Sequence, residues 1–262
     1  MILTTQWELL LPFLAILFCG LDFIVTKASQ RKNLAWQWPL NFGLHGAGLL
    51  FSLVVPFSVF TFSSLGIKLG IDFGQRIQSY NWLLGFALWL LVESLVAYIA
   101  HFAMHRFRPL WAFHRVHHSD ENINASTAVR HHPLEGLIEI IAIAPVALVC
   151  TPSLQTLVAT YVLTNAINFF NHSRVNLPLG LSHALEWVIV TPRLHYVHHS
   201  TYAPQTDSNF GGTLTIWDRV FGTYRSEVPA AIGLDDPTLQ GHNARDFDTL
   251  LREPFRFLLR RP

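Results

Sequence analysis

Charge is scarce in this chain of 262 residues: Asp, Glu, Lys and Arg make up 13% of it, where soluble domains carry about 25%. Hydrophobic residues make up 51%, so the composition is that of a membrane protein. Neither sign of charge dominates. Eighteen Lys+Arg face 17 Asp+Glu, and the basic face a nucleic-acid partner needs is missing. Cysteine is nearly absent. Cys19 and Cys150 both lie in apolar stretches and read as small core residues, and two thiols cannot build a cysteine zinc site or an iron–sulfur cluster. No internal repeat, heptad or low-complexity segment is present. The word His-Glu-x-x-His is also missing, which argues against a zinc hydrolase of that type. No Glu-x-x-His stands near the histidine clusters, unlike the carboxylate-rich di-iron sites of soluble bundles. What the chain does have is histidine, 14 in all.

The apolar stretches predict an all-α fold: a polytopic membrane helical bundle of about three spans plus a helical hairpin, with a cytoplasmic helical cap carrying a histidine-rich dimetal site. Residues 1–25 lack a basic start and a cleavage pattern and read as a retained span ending near Asp22. Lys27, Arg31 and Lys32 then place the first loop in the cytoplasm. Residues 33–67 carry no charge and predict one span from near Leu40, kinked at Pro56, with His45 hydrogen-bonded near its cytoplasmic start. Residues 66–80 read as a short polar connection. Residues 81–104 form the next span, with Glu93 as its only charge, and Arg106, Arg108, Arg115 and Arg130 follow on the cytoplasmic side. Residues 137–172, broken by Pro145 and Thr151-Pro152, predict a helical hairpin that dips in and returns. From Arg174 onward the chain should be cytoplasmic, ending in a cap whose Asp235, Asp236, Arg252 and Arg260 are solvated. The division is residues 1–80, N-terminal helices; 81–226, the catalytic region; 227–262, a tail.

Ten of the 14 histidines fall within 101–132 and 195–199. His101 and His105 are an i, i+4 pair and share one helix face. His114-x-x-His117-His118 and His195-x-x-His198-His199 repeat one pattern, in which i, i+3 and i+4 all share a face. Imidazole suits borderline metals, and one ion rarely takes more than three or four, so eight imidazoles imply two ions. Neutral ligands leave the metal charge uncompensated. Glu93 lies on the stripe 93, 97, 101, 105 and could balance that charge or cap a neighbouring helix. Asn209 and Asp218 could orient imidazoles by accepting their second N–H, or Asp218 could pair with an arginine. Trp217, Phe221 and Tyr224 read as packing and interface anchors, and His183 and His242 as ordinary surface residues. A metal transporter would spread ionisable residues along several spans, and a haem protein would pair histidines deep in the bilayer. The clustering at one membrane face argues against both, and the alternative carried forward is a histidine-rich membrane metal transporter or a non-enzymatic metal-binding membrane protein.

The run HFAMHRFRPLWAFHRVHHSDENINASTAVRHHPLE, followed by NHSRVNLPLG and TPRLHYVHHSTYAPQTDSNFGGTLTIWDRVFGTY, resembles the fatty acid hydroxylase/sterol desaturase superfamily of integral-membrane di-iron oxygenases across residues 93–226. The resemblance implies metal ligation by His101, His105, His114, His117, His118, His195, His198 and His199. It adds His172, through the word Asn171-His172. It also points to His132, through the word Arg130-x-His-Pro, as a ligand or a support of one, and leaves His131 as filler. The returning helix, NAINFFNHS, carries asparagines where fatty acid 2-hydroxylases have further histidines, which weakens assignment to that branch. The compact length resembles bacterial members. The implied activity is O2-dependent hydroxylation or desaturation of a C–H bond in a lipid or other hydrophobic substrate. Two iron ions are the implied cofactors, and electrons would come from a separate ferredoxin, cytochrome b5 or reductase.

Overall fold

In the computed structural model the described residues are 10–54 and 58–260, and among them the fold is all-helical, with no strand. The first helix, α1 (Leu10–Val25), carries in its last turn Asp22, which is fully buried and accepts the backbone N–H groups of Ala125 and Arg174 at 2.5 and 2.7 Å. Its preceding residues, and the expected kink at Pro56, lie outside the described residues.

The uncharged stretch 33–67 is not one span from Leu40. It forms most of α2 (Arg31–Val54) and α3 (Val59–Lys68), and α3 opens afresh because the Ser58 side chain accepts the Thr61 N–H at 3.1 Å. The expected connection 66–80 holds a further helix, α4 (Phe73–Tyr80). Gly66 and Gly74 let this part of the chain lie directly on the carbonyls of Leu148 and Cys150, where a Cβ would collide. Asn81 caps α5 (Trp82–Arg106) by accepting the Leu84 N–H at 3.0 Å. At 25 residues α5 is the one helix among the described residues long and apolar enough to cross a membrane; α1 is apolar but shorter.

After α5 the chain turns at Phe107 into α6 (Arg108–His118), runs through a short 3-10 turn (Ala125–Val129), and enters α7 (Glu135–Cys150) and α8 (Leu154–His172). The two apolar helices and the break between them fall where expected, but α7 packs on α3 and α5 rather than along α8; the break places Thr151 in the left-handed region (φ 44°), and Ser153 caps α8. Short helices follow: α9 (Leu179–Leu185), α10 (Pro192–His198), α11 (Ala203–Thr206) and α12 (Ile216–Val220). The tail ends in α13 (Phe247–Leu259).

Two apolar clusters grip the histidine-bearing segments. One joins Ala15 and Cys19 of α1 to Phe169 of α8 and to the 3-10 turn, with Phe18 stacked on Phe169 at 6.3 Å. The other joins Leu40 and Leu44 of α2, Val116 of α6, and Leu234, Leu239 and Leu250 of the tail. Each fully buried leucine contributes about 1.5–3 kcal/mol. Of the tail charges expected to be solvated, Asp235, Arg252 and Arg260 do face solvent, whereas Asp236 is ion-paired with Arg115 of α6; Glu253 is buried and bonded to Arg260, and α13 packs on α6.

Candidate metal centre

Four helices end at one place. The C-terminal two turns of α5, α6, α8 and α10 carry His101 and His105; His114, His117 and His118; His172; and His195 and His198, with His199 as the residue that closes α10. Helix C-termini carry partial negative charge, so this convergence favours cations. The side chains form two adjoining groups: His101, His105, His114, His118 and His198; and His117, His172, His195 and His199. Within each group the ligand atoms all lie within 4.8 Å of one another. The groups touch where His118 and His199 stack at 4.5 Å.

Hydrogen bonding fixes which ring nitrogens face inward. His101 Nδ1 donates to the Phe210 carbonyl, His172 Nδ1 to that of Asn168 and His198 Nδ1 to that of Ser208, each at 2.8 Å. His114 Nδ1 donates to Glu135 Oε1 at 2.6 Å. A neutral ring that donates from Nδ1 presents a bare lone pair at Nε2. Yet His101 Nε2 and His114 Nε2 are 2.9 Å apart, His172 Nε2 and His195 Nε2 are 2.8 Å apart, and the His118–His114, His117–His172 and His199–His195 pairs sit at 3.2 Å. His105 Nε2 and His198 Nε2 are buried with no hydrogen-bond partner. Two nitrogens bound at about 2.1 Å to one ion at a right angle lie about 3.0 Å apart. His101 and His114 both donate from Nδ1, so their bare Nε2 atoms oppose each other at 2.9 Å and fit a shared cation; the Nδ1 atoms of His117, His118, His195 and His199 have no partner, so those rings can either present Nε2 to a cation or donate from it to a neighbouring ring.

Burial and the neighbouring imidazoles hold His117, His118, His195 and His199 well below the usual histidine range, and His198 down to about 3. Neutral imidazole is the ligand form.

The supporting residues differ from those expected. Glu93 makes no hydrogen bond to a site histidine; Glu93 Oε2 is buried without a partner, and the charge it faces is Glu139 of α7. Two other carboxylates reach the site: the exposed Asp207, 3.3 Å from His105 Nδ1, and the buried Glu135, which accepts from His114 and also from His131 Nδ1 at 2.9 Å. Burial alone would raise the Glu135 carboxyl, but His131 and His114 outweigh it and hold the group far below its usual range. In return Glu135 lifts His131 to about 9 against its own burial. His131 and Glu135 are an i, i+4 pair, a spacing visible in the sequence.

The adjacent histidines exchange places relative to expectation. His131 stacks on His117 at 4.6 Å, whereas His132 turns away to Leu251 of α13 at 3.2 Å and lies outside both groups. Their link is not helical, so neighbours point to opposite sides. His45 Nε2 has no hydrogen-bond partner, and His183 and His242 are exposed.

Asn209 and Asp218 accept no imidazole N–H, and Asp218 forms no ion pair with an arginine. Asp218 binds the backbone N–H groups of Phe210 and Gly211 at 2.8 and 2.9 Å, together with the Thr223 hydroxyl at 2.7 Å. Asn209, at φ 50°, ties this loop to Leu194 and Arg225. Both act on the loop whose carbonyls, Ser208 and Phe210, hold the rings.

The fold and the site together define an all-helical protein whose helix ends converge on two adjoining histidine groups suited to metal. The sequence comparisons agree with that class. The family described as fatty acid hydroxylase matches residues 86–223, and the chain belongs to it, within the fatty acid hydroxylase/sterol desaturase superfamily. Similar proteins include alkylglycerol monooxygenase of Danio rerio, 35% identical over 61% of this chain and 34% of its own length. Alkylglycerol monooxygenase of Homo sapiens is 33% identical over 64% and 32%, and ornithine lipid hydroxylase of Rhizobium tropici is 30% identical over 64% and 49%. The matched region thus spans about a third to a half of these relatives. No solved structure matches.

Proposed function

We propose that this protein is a membrane oxidoreductase that uses O2 to oxidise a C–H bond of a lipid or similar hydrophobic substrate, by hydroxylation or desaturation, at a pair of iron ions held by the nine histidines. The carrying observation is the gathering of nine imidazoles into two adjoining groups whose ligand atoms lie within 4.8 Å of one another, with the bare Nε2 atoms of His101 and His114 2.9 Å apart. The relatives' names supply the substrate class, and the all-nitrogen donor set suits iron. Iron, when bound, would supply O2 activation and electron exchange.

The chain's own contribution is positioning and exclusion of water. Carbonyls of Phe210, Ser208 and Asn168 fix the tautomers of His101, His198 and His172, and seven of the nine rings at the centre are buried, while the body of α5 presents lipid-facing residues such as Leu83, 68% exposed. A substrate carbon would approach from the bilayer along α5, α7 and α8. On another side of the centre a polar cleft of about 330 Å³, lined by His105, Arg115, Asp207 and Asp236, opens to water. It suits the approach of a separate electron donor. The basic residues Lys27, Arg31, Arg106 and Arg108 favour a cytoplasmic position for the centre in a multi-pass chain.

The test is metal analysis of detergent-purified protein, wild type beside His198→Ala, followed by turnover of ether, acyl and sterol lipids with O2 and a reductase. About two irons per chain, fewer in the variant, and an oxidised lipid are expected. Bound metal without any O2-linked turnover would favour the non-enzymatic reading, and no bound metal would overturn the site.

A further inference from the structure

Glu135 and His131 touch both histidine groups without using an inward nitrogen. Glu135 Oε1 accepts from His114, a member of the first group, at 2.6 Å and from His131 at 2.9 Å. His131 gives its other N–H to the Ala128 carbonyl at 3.1 Å and lies flat on His117, a member of the second group, with ring centroids 4.6 Å apart and planes 6° from parallel. Glu135 is 1% exposed, and its Oε2 has no partner. A buried carboxylate with so few partners holds those it has firmly, because losing either leaves charge uncompensated. Carboxylates often orient a single metal-binding imidazole. Here one carboxylate orients a ring in one group and, through a stacked imidazole, confines a ring in the other.

We propose that Glu135 and His131 are positioning residues that couple the two histidine groups, so that metal affinity at both depends on one carboxylate. The inference rests on reading the nine imidazoles as ligands. Without the carboxylate, His114 can turn about its ring bond, and His131 loses the contact that keeps it parallel to His117.

The experiment measures cobalt(II) affinity, by d–d absorption and competition with a chelator, on the full chain in detergent. Two backgrounds separate the groups. His195→Ala with His199→Ala leaves the first group whole, and His105→Ala with His198→Ala leaves the second. Glu135→Gln should weaken cobalt binding by about 10–100-fold in both backgrounds. His131→Phe keeps a flat ring but loses the hydrogen bonds; it should weaken binding only in the second background, and it carries the test if Glu135→Gln fails to fold. A Glu135→Gln effect confined to the first background, or a silent His131→Phe, would overturn the coupling while leaving the ligand reading intact. Parent chains that bind no cobalt would overturn both.

Discussion

Asp218→Asn keeps the size of a side chain that is 1% exposed while removing its charge and one acceptor. Asp218 Oδ1 takes the Phe210 N–H at 2.8 Å and the Thr223 hydroxyl at 2.7 Å, and Oδ2 takes the Gly211 N–H at 2.9 Å. Whichever way the new amide turns, its NH2 group faces a backbone N–H. The lost charge-assisted bond costs about 1.5–3 kcal/mol and the unpaired buried donor about 1–3, so the sum is about 2.5–6 kcal/mol. Folded domains have about 5–15 kcal/mol in total. At about 2–4 °C per kcal/mol, thermal unfolding followed by circular dichroism should shift down by about 10 °C. The loop also presents the carbonyls that hold His101 and His198, so cobalt retention should fall about tenfold. Thr223→Val, which removes the hydroxyl's bonds to Asp218 and Tyr98 but leaves both backbone N–H partners of Asp218 in place, should cost less, about 1–3 kcal/mol. An Asp218→Asn midpoint within about 2 °C of wild type, with metal retention unchanged, would refute the reasoning.

His132→Ala removes a ring that bonds Leu251 and packs on Phe113 and Phe255; it should cost about 1–3 kcal/mol in stability and leave metal content unchanged, and lost metal would return His132 to the ligand set. Acid should destabilise the metal-free fold. His198 lies near 3 in the folded state against about 6.5 unfolded. Between those values the unfolded chain binds more protons, so stability is full above pH about 6.5 and falls toward pH 3 by up to about 1.4 kcal/mol per pH unit for each such ring. Urea midpoints at pH of about 7.5, 6 and 5 check this, and a flat profile would show that the rings are not held neutral.

The histidine centre was legible because its spacing is helical geometry: i, i+4 and i, i+3, i+4 place rings on one face whatever the rest of the fold does. His172 came from resemblance alone, since a single histidine carries no spacing. The outer layer was legible only in part. Glu93 shares a stripe with His101, but two turns deeper its face meets Glu139 on α7. Glu135 stands four residues after His131, yet its partner His114 is 21 residues away and is brought to it only by the turn between α6 and α7. Asp218 sits in the right segment but acts through backbone, and backbone acceptors have no signature in side-chain identity. The split of residues 33–67 into two helices depends on the cap at Ser58, a local bond that hydropathy does not register.

The choice of acceptors around the rings has an electrostatic consequence. Phe210, Ser208 and Asn168 supply neutral carbonyls, which set a tautomer without adding charge. Glu135 does add charge, but it shares that charge with His131, which is held protonated. Asp207, half-exposed at 3.3 Å from His105 Nδ1, is screened by water. Little fixed negative charge is therefore left to offset cations among the imidazoles beyond the converging helix ends. A carboxylate-bridged pair of ions would be stabilised in its more oxidised state, whereas neutral donors favour the less charged one. A cation held among these rings would therefore be favoured in a less charged form, and the rigid carbonyl-held rings rather than fixed negative charge would keep it in place.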